Sequence, residues 1–293
     1  MANEQSAKKQ EKCTNKCHVL IIGKSITLSV VLFYLLVMVL ILSSCTGQAQ
    51  RIEESQMSPN SQAVIDFLRI SDFILLRNEG DGSKLFNEWK QLYEQGRNKG
   101  YFPLIIVPTN RLVPYLEGST KTKDDILGEA KSINAVDFLT DRLPEWWDSM
   151  AEESEELPEF AEIEAIRNRD SESFSVDSAD SWFGHHEVII AKVPTENPWE
   201  LAAWIPMGGW NNCPTPAEQV AVFRHWYERY GAVPALVTHD IWDLYVHNPP
   251  ETEEEALHLA KEMIAFCEDI AEGGVSFLAL WNRGSKRWGF WWD

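Results

Sequence analysis

The chain has 293 residues, and 45 acidic side chains against 26 lysines and arginines leave it a net charge of −19. Its 44% of hydrophobic and 24% of charged residues are typical of a globular protein, which excludes a wholly disordered chain, a collagen and a polytopic membrane protein. The acidic balance also argues against a nucleic-acid partner, because such binding needs basic surface patches.

The N-terminal segment predicts a membrane anchor. Residues 1–44 carry five lysines and two glutamates, and Ile26–Leu42 is an uncharged apolar run of 17 residues. As a helix this run would span about 26 Å, close to the roughly 30 Å of a bilayer core. The run ends in Leu-Ser-Ser-Cys45, which resembles the lipobox of bacterial lipoproteins. That resemblance implies cleavage before Cys45 and acylation of its thiol.

Two alternatives to a lipoprotein stay open for residues 1–45. One is an uncleaved single-pass helix with the lysines on the cytoplasmic side, and the other is a buried helix of a soluble protein. The lipoprotein and the single-pass helix both place the folded part outside the cytosol. We therefore expect a protein of the cell membrane, anchored in lipid through Cys45 or through residues 26–42, with residues 46–62 as a flexible tether.

Residues 63–143 predict an N-terminal α/β region. Hydrophobic spacing indicates two helices and two strands, and a strand that is apolar on both sides is typical of the centre of a sheet. In chain order the elements are a helix at Ala63–Ile70, a strand at Phe73–Leu76, an amphipathic helix through Leu85, Trp89, Leu92 and Tyr93 that ends near Gly96–Gly100, and a strand at Leu104–Val107.

Residues 144–182 are acidic and rich in serine, which predicts a solvated insertion or linker. Phe160, Ile163 and Ile166 share one helical face, so we expect part of this segment to form a surface helix. The segment lacks the D-x-D-x-D-G order of a calcium loop.

Residues 183–293 predict a Trp-rich C-terminal domain with two helices that start at capping boxes and stop at glycines. The first predicted elements are a strand at Glu187–Ala191, an extended segment at Leu201–Met207 and a turn at Gly208-Gly209. A helix then runs from the capping box of Thr215 and Glu218 to Gly231, with Val220, Phe223, Tyr227 and Tyr230 buried, and a hairpin of Ala235–Val237 and Leu244–Val246 turns around His239-Asp240. A second helix runs from the capping box of Thr252 and Glu255 to Gly273-Gly274, and a hairpin of Val275–Trp281 and Trp288–Trp292 closes the chain. Together the elements predict an α/β (or α+β) fold, a mixed sheet flanked by amphipathic helices.

Several motifs of this segment resemble one family when taken together. They are Ala203-Trp204-Ile-Pro-Met-Gly208-Gly209-Trp210-Asn211-x-Cys213-Pro214, Arg224-His-Trp-Tyr-Glu-Arg-Tyr-Gly-Ala232, Pro249-Pro250, Glu255-Ala256, Phe266-Cys267-x-Asp269 and Phe290-Trp-Trp-Asp293. In order and spacing they resemble the bacterial domain-of-unknown-function family numbered 4253, over roughly residues 185–293. The resemblance implies a compact Trp-rich α/β unit and no particular activity. Asp243 stands where we would expect a glutamate in that family.

All thirteen tryptophans lie after residue 88. They indicate either a Trp-heavy core or an aromatic surface for a glycan or another ligand. Trp210 is the best candidate for an exposed ring, because it lies beside two glycines and Asn211. The Trp210 ring and the Asn211 amide could then be presented together. The candidate binding residues are Trp210, Asn211, Gly208, Gly209, Arg224 and Asp293.

Catalysis and cofactor binding have weaker support in the sequence. Asp240, Asp269 and His239 are candidates for acid–base hydrolysis, although carboxylates are abundant in this chain. His185-His186 lack the spacing of a metal site, and motifs of serine hydrolases and nucleotide-binding proteins are absent, so we expect no metal and no cofactor. Cys213 and Cys267 either form a disulfide or remain as two buried thiols.

We therefore expect a membrane-tethered, non-catalytic protein that binds a protein or glycan partner, a class that includes toxin-immunity proteins. The alternative is an envelope hydrolase that uses carboxylates and a histidine of the C-terminal domain. A third hypothesis is a purely structural envelope lipoprotein. The hydrolase hypothesis requires Asp240, Asp269 and His239 to converge with Trp210 in one cleft.

Overall fold

The computed structural model of the protein describes residues 50–77, 82–145, 160–170, 174 and 187–293. The predictions for the apolar run 26–42, for Cys45, for His185-His186 and for most of the acidic segment lie outside these residues. Within the described ranges, no helix has the length and the apolar character that crossing a bilayer requires.

Seven strands of the described residues form one mixed sheet in the spatial order β1-β2-β4-β3-β5-β6-β7. Strand β4 pairs antiparallel with β2 and β3, β3 runs parallel to β5, and β5, β6 and β7 are antiparallel neighbours. The predicted mixed sheet is therefore confirmed, and strands from both ends of the chain are interleaved in it. The strands are β1 Gln50–Arg51, β2 Phe73–Arg77, β3 Phe102–Ile106, β4 Glu187–Val193, β5 Ala232–Val237, β6 Ile241–Val246 and β7 Arg287–Trp291.

Ten α-helices of the described residues surround the sheet, with short 3-10 turns at Glu54–Gln56, Pro198–Glu200 and Glu268–Gly273. The helices are α1 Pro59–Leu68, α2 Gly82–Gly96, α3 Leu112–Glu117, α4 Lys123–Ala130, α5 Ala135–Arg142, α6 Phe160–Asp170, α7 Leu201–Trp204, α8 Pro216–Tyr230, α9 Glu253–Phe266 and α10 Gly274–Asn282. The expected surface helix in the acidic segment is thus present as α6.

Both faces of the sheet are buried, because its central strands are apolar on both sides. In β4, Ile189 and Ala191 face the larger hydrophobic cluster, whereas Val188 and Ile190 face the smaller one. Helix α2 covers the smaller cluster. The larger cluster contains the fully buried rings of Trp226, Trp242, Trp288 and Trp292. For these four tryptophans, the interpretation as a hydrophobic core is therefore the correct one.

The two helix starts predicted from capping boxes are confirmed, whereas α1 begins at Pro59, inside the segment 46–62 that was predicted as a flexible tether. Thr215 accepts a hydrogen bond from the amide of Glu218, and the carboxylate of Glu218 accepts one from the amide of Thr215, with Pro216 in the first turn. Thr252 and Glu255 form the same capping box at α9. On α8, Trp226 is fully buried, whereas Tyr227, predicted as buried, is only partly so.

Two segments that were predicted as extended are helical. The run Leu201–Met207 begins with α7, and Val275–Trp281 lies in α10, so β7 pairs with β6 instead. Short apolar runs of this kind do not distinguish a buried strand from a buried helix by periodicity. The helix α9 also ends earlier than predicted, at Phe266, because Cys267 adopts an extended backbone.

Candidate functional site

The Gly208-Gly209 turn is built around a buried glutamine. Gly208 has a φ of +111°, and a Cβ at this position would collide with Gln219 Nε2 and with the carbonyl oxygen of Pro214. Gln219 Nε2 donates to the carbonyls of Met207 and Pro214, each at 2.8 Å, and Gln219 Oε1 accepts from Trp242 Nε1 at 2.9 Å. The glycine therefore permits the close packing that fastens the turn to α8 and β6.

The C-terminus closes over this turn. Asn211 Nδ2 donates to the backbone carbonyl of Asp293 at 2.7 Å, and the Asp293 amide donates to Asp269 Oδ2 at 3.1 Å. Three predicted site residues from three distant parts of the sequence therefore lie together. We call the region formed by residues 207–214, 265–269 and 291–293 the C-terminal junction.

Arg142, at the end of α5, belongs to the same region, although no sequence motif marks it as a site residue. Its Nε donates to the carbonyl of Ala265 at 3.1 Å, and its Nη2 donates to the carbonyl of Asn212. Asn212 Nδ2 donates in turn to Glu268 Oε2 at 3.3 Å. Because these polar groups bind one another, the C-terminal junction has the character of a structural joint.

Trp210 and Arg224 contribute less to a binding surface than predicted. Trp210 is half-buried and packs against the larger hydrophobic cluster, whereas Trp291 has 42% of its surface exposed. The Nε of Arg224 lies 2.8 Å from Glu228 Oε1, and its guanidinium lies 5.9 Å from the ring centroid of Trp199. Arg224 is therefore engaged with neighbours on its own helix and on the preceding turn.

His239 and Asp240 form the turn between β5 and β6. Asp240 Oδ1 accepts a hydrogen bond from Thr238 Oγ1 at 2.7 Å, and His239 Nδ1 lies 3.2 Å from that oxygen without hydrogen-bond alignment. Burial lowers the pKa of His239, the charge of Asp240 opposes that shift, and Arg111 adds to it. The Asp240 carbonyl accepts from the Trp292 amide at 3.1 Å.

Two of the three candidates for hydrolysis, Asp240 and Asp269, thus have structural partners. The consecutive amides of Trp292 and Asp293 bind the Asp240 carbonyl and the Asp269 carboxylate, which fastens the C-terminus to the sheet. The Asp240 carboxylate faces the Thr238 hydroxyl of its own turn. Asp240 and Asp269 therefore both lie at the C-terminal segment, and the hydrolase hypothesis stays a hypothesis.

A separate cleft of about 530 Å³ opens between α2 and the end of β6. Clefts of this volume are typical of ligand sites. Its lining combines two tyrosines, a histidine and three charged side chains: Lys90, Tyr93, Glu94, Arg97 and Asn98 from α2 and the turn after it, and Tyr245 and His247 from β6 and the residue that follows it. We call it the α2–β6 cleft.

Tyr93 and His247 form the polar floor of the α2–β6 cleft. The Tyr93 hydroxyl lies 2.9 Å from His247 Nε2, and the two rings are held by stacking of Tyr93 on Trp89 and by an edge contact of His247 with Tyr245. Burial raises the pKa of Tyr93 to about 12. Burial also lowers the pKa of His247, and the nearby positive charge of Arg97 adds to the shift.

The charges at this cleft contrast with the acidity of the chain. Lys90 on α2 and Arg97 in the turn after it line the same cleft as Tyr93, and neither forms an ion pair with any residue that the structure describes. Lys90 Nζ lies 5.8 Å from the Phe86 ring centroid, a cation–π distance. Glu94 is the one acid among the lining residues.

Residues 189–293 match the family model of DUF4253, a domain of unknown function. The match confirms the resemblance seen in the sequence motifs. No curated protein and no solved structure matches the chain.

The DUF4253 segment contains the C-terminal junction apart from Arg142, and it contributes Tyr245 and His247 to the α2–β6 cleft. The rest of the cleft comes from α2, which precedes the segment by about a hundred residues. The sequence feature that indicates the cleft is the hydrophobic stripe of α2, which includes Tyr93. Lys90 lies three positions before Tyr93 and Arg97 four positions after it, a spacing that brings side chains of a helix close together.

The two cysteines of the DUF4253 segment are separate buried thiols in the structure, the second of the two alternatives. Cys213 Sγ lies 3.8 Å from Met207 Sδ, and Cys267 Sγ donates to the Trp291 carbonyl at 2.9 Å. Burial raises the pKa of both thiols, that of Cys267 to about 12. Both side chains are therefore protonated and unreactive at neutral pH.

Asp243, the residue at which we expected a glutamate, is fully buried on β6. Arg287 Nε on β7 lies 3.4 Å from its Oδ2, and a Cβ at Gly289 would lie 3.0 Å from its Oδ1. The carboxylate therefore occupies space that the missing side chain of Gly289 leaves open, next to a cation of the neighbouring strand.

Proposed function

We propose that this protein is a membrane-tethered, non-catalytic binding protein whose ligand enters the α2–β6 cleft. The observation that carries the proposal is the open cleft itself, about 530 Å³ in volume and lined by polar and charged side chains. The polar groups of the C-terminal junction, in contrast, bind one another. Residues of α2 and of β6, which are distant in the sequence, build the cleft together.

The tether rests on the sequence of residues 1–45. The uncharged run 26–42 and the Leu-Ser-Ser-Cys45 ending support an anchor in the cell membrane, with the folded part outside the cytosol. The partner is then a protein or a glycan of the envelope, or a molecule that reaches it, and a group of that partner occupies the cleft. A toxin-immunity protein is one form that such a binding protein takes.

Intact mass of protein extracted from membranes tests the tether. A species that starts at Cys45 and carries acyl mass is expected, and Cys45→Ser should abolish both the cleavage and the added mass. A full-length species without acyl mass would instead identify a single-pass anchor. Recovery of unmodified, full-length protein from the soluble fraction would contradict the proposed location.

Capture experiments test the cleft. Full-length protein with Asn98→Trp, which places a large ring at the mouth of the cleft, should lose the envelope ligand that the unmodified protein captures. Asn110→Trp is the matched control, because Asn110 is also an exposed asparagine in a turn. Equal capture by both variants and the unmodified protein would contradict the α2–β6 cleft as the site.

The hydrolase alternative has its own test. Asp240→Asn retains the size of the side chain and would abolish turnover of envelope material if Asp240 acted as an acid or base. We expect the variant to capture the same ligand as the unmodified protein, since the Asp240 side chain contacts residues of its own turn.

A further inference from the structure

We propose that the group bound in the α2–β6 cleft is an organic anion, a phosphate, sulfonate or carboxylate attached to an apolar ring or chain, and that Lys90 and Arg97 hold its charge. The inference rests on the proposed function, because it names the chemistry of the ligand that enters this cleft. The anionic group is either a free small molecule or part of the larger partner.

Several cations on other parts of the described surface form close ion pairs. Of the described cations, Arg51, Lys121 and Lys192 each lie within 2.7 Å of a carboxylate, as a chain of net charge −19 favours. Lys90 and Arg97 line a cleft and lack such a partner among the described residues. Their charges are therefore available to an anion that enters.

The donors at the cleft suit an oxyanion. Arg97 brings a planar guanidinium, which binds two oxygens of one group, and Lys90 brings an ammonium on a flexible stem. Lys286, close enough for its charge to lower the pKa of His247, adds a third positive charge near the cleft. A cationic ligand would meet these three charges, and among the described lining residues Glu94 is the one acid that would compensate them.

The lining and the volume of the cleft indicate a ligand that is larger than an inorganic ion and has an apolar part. Tyr93 and Tyr245 present aromatic surface, and the volume of about 530 Å³ exceeds what a single inorganic oxyanion fills. The Tyr93–His247 pair supplies a hydroxyl and a ring nitrogen on the floor. An anion that carries a ring or an alkyl chain would cover both the charged and the aromatic parts of the lining.

The test uses a matched pair of probes with full-length protein in detergent. Benzenesulfonate and benzenesulfonamide have the same ring and nearly the same shape, but only the sulfonate is charged near neutral pH. In a ligand-observed NMR titration, we expect the sulfonate to bind at least about tenfold more tightly than the amide, the effect of roughly one charge-assisted contact. Inorganic sulfate, which lacks the ring, should bind more weakly than benzenesulfonate.

Variants assign the effect to the two cations. Lys90→Gln with Arg97→Gln should raise the Kd for benzenesulfonate at least about tenfold, and the charge-conserving pair Lys90→Arg with Arg97→Lys should restore most of the affinity. The matched control is Arg69→Gln with Lys131→Gln, which removes one exposed arginine and one exposed lysine outside the cleft. The control should leave the Kd within about twofold.

The outcomes separate the inference from the proposed function. No detectable binding of benzenesulfonate, equal binding of the amide, or an equal loss in the control pair would overturn the anion site. If Asn98→Trp still abolished ligand capture in that case, the proposed function would stand with an uncharged ligand.

If the anion site holds, loss of partner capture in the Lys90/Arg97 glutamine pair assigns the anion to the partner. Unchanged capture assigns the anion to a free molecule.

Discussion

Glu262 on α9 shows how a single carboxylate joins two helices. Its oxygens lie 2.9 Å from Trp226 Nε1, 3.1 Å from His225 Nε2, 3.1 Å from His258 Nε2 and 3.3 Å from Arg229 Nη1. Burial alone would raise the pKa of this carboxyl, but the hydrogen bonds from His225 and Trp226 and the neighbouring charges outweigh it and hold the pKa below its ordinary value. Three of the four donors come from α8.

We predict that Glu262→Gln lowers the free energy of unfolding by about 1–3 kcal/mol at pH 7, because it leaves buried donors poorly paired. A group whose pKa is lowered by folding stabilises the protein above its unfolded pKa, and this contribution is lost as pH falls through the folded pKa. The difference between variant and unmodified protein should therefore shrink below about pH 4.5. Urea unfolding at pH 7 and at pH 4 measures both effects.

Glu228→Gln is the control for this experiment, since Glu228 forms only an exposed pair with Arg224 on the same helix. It should change the free energy of unfolding by less than about 0.5 kcal/mol. An equal loss in both variants would mean that general surface charge, and not the contacts of Glu262, sets the stability.

Two glycine-to-alanine substitutions with opposite expected effects on stability test the packing of the Gly208-Gly209 turn. Gly208→Ala should destabilise the fold by about 1–3 kcal/mol or more, because φ is +111° and the Cβ would displace Gln219. Gly128→Ala, in α4 with open space around it, should instead stabilise by about 0.5–1 kcal/mol. Thermal unfolding of both variants gives the two signs, and a stable Gly208→Ala would refute the packing role.

At the scale of the elements, capping boxes define where helices begin. Thr122 with Asp125, Thr215 with Glu218, and Thr252 with Glu255 repeat one reciprocal hydrogen-bond pattern at α4, α8 and α9. Such starts are readable from sequence, because the residues that form them lie three positions apart. Helices α7 and α10 have no such signal, and there the sequence predicted extended chain.

We predict that Thr215→Ala lowers the free energy of unfolding by about 1 kcal/mol, since α8 then loses the side-chain acceptor for the Glu218 amide. Thr120→Ala is the control, because Thr120 is exposed and precedes α4 outside its capping box. Denaturant unfolding should show a shifted midpoint for the first variant only. An unchanged unfolding midpoint for Thr215→Ala would mean that tertiary packing alone stabilises this end of the helix.

At the scale of the molecule, the sheet depends on strands from both parts of the chain. Strand β4 pairs with β2 on one side and with β3 on the other, and β5 of the DUF4253 segment pairs with β3. Within the sheet, β3 therefore separates β4 from the three strands that follow it. The predicted boundaries at residues 143 and 183 divide the sequence but not this sheet.

We predict that a fragment of residues 187–293 does not fold cooperatively by itself, because its β4 and β5 would both lose β3 as a neighbour. A fragment of residues 48–293, which spans one compact unit, should fold. Circular dichroism melting curves and amide NMR dispersion compare the two. A cooperative transition in the shorter fragment would show that the DUF4253 segment is an independent folding unit.

Features that depend on residues close together in the chain could be predicted from the amino-acid sequence. The capping boxes, the glycine turn, the two-sided apolar strands and the amphipathic stripe of α2 are of this kind, since a few neighbouring residues decide each of them. The motifs that match DUF4253 were also readable in this way. Where local preference was ambiguous, as in the apolar runs at α7 and α10, sequence predicted the wrong element.

Which polar groups remain available for a ligand depends on how the whole chain packs. Asn211, Asp269 and Asp293 were plausible site residues until their mutual hydrogen bonds showed them to fasten the C-terminus. Tyr93 and His247 stand 154 positions apart, and their contact exists because the sheet brings β6 against α2. Contacts over such distances depend on the packing of the whole chain, and no local pattern encodes them.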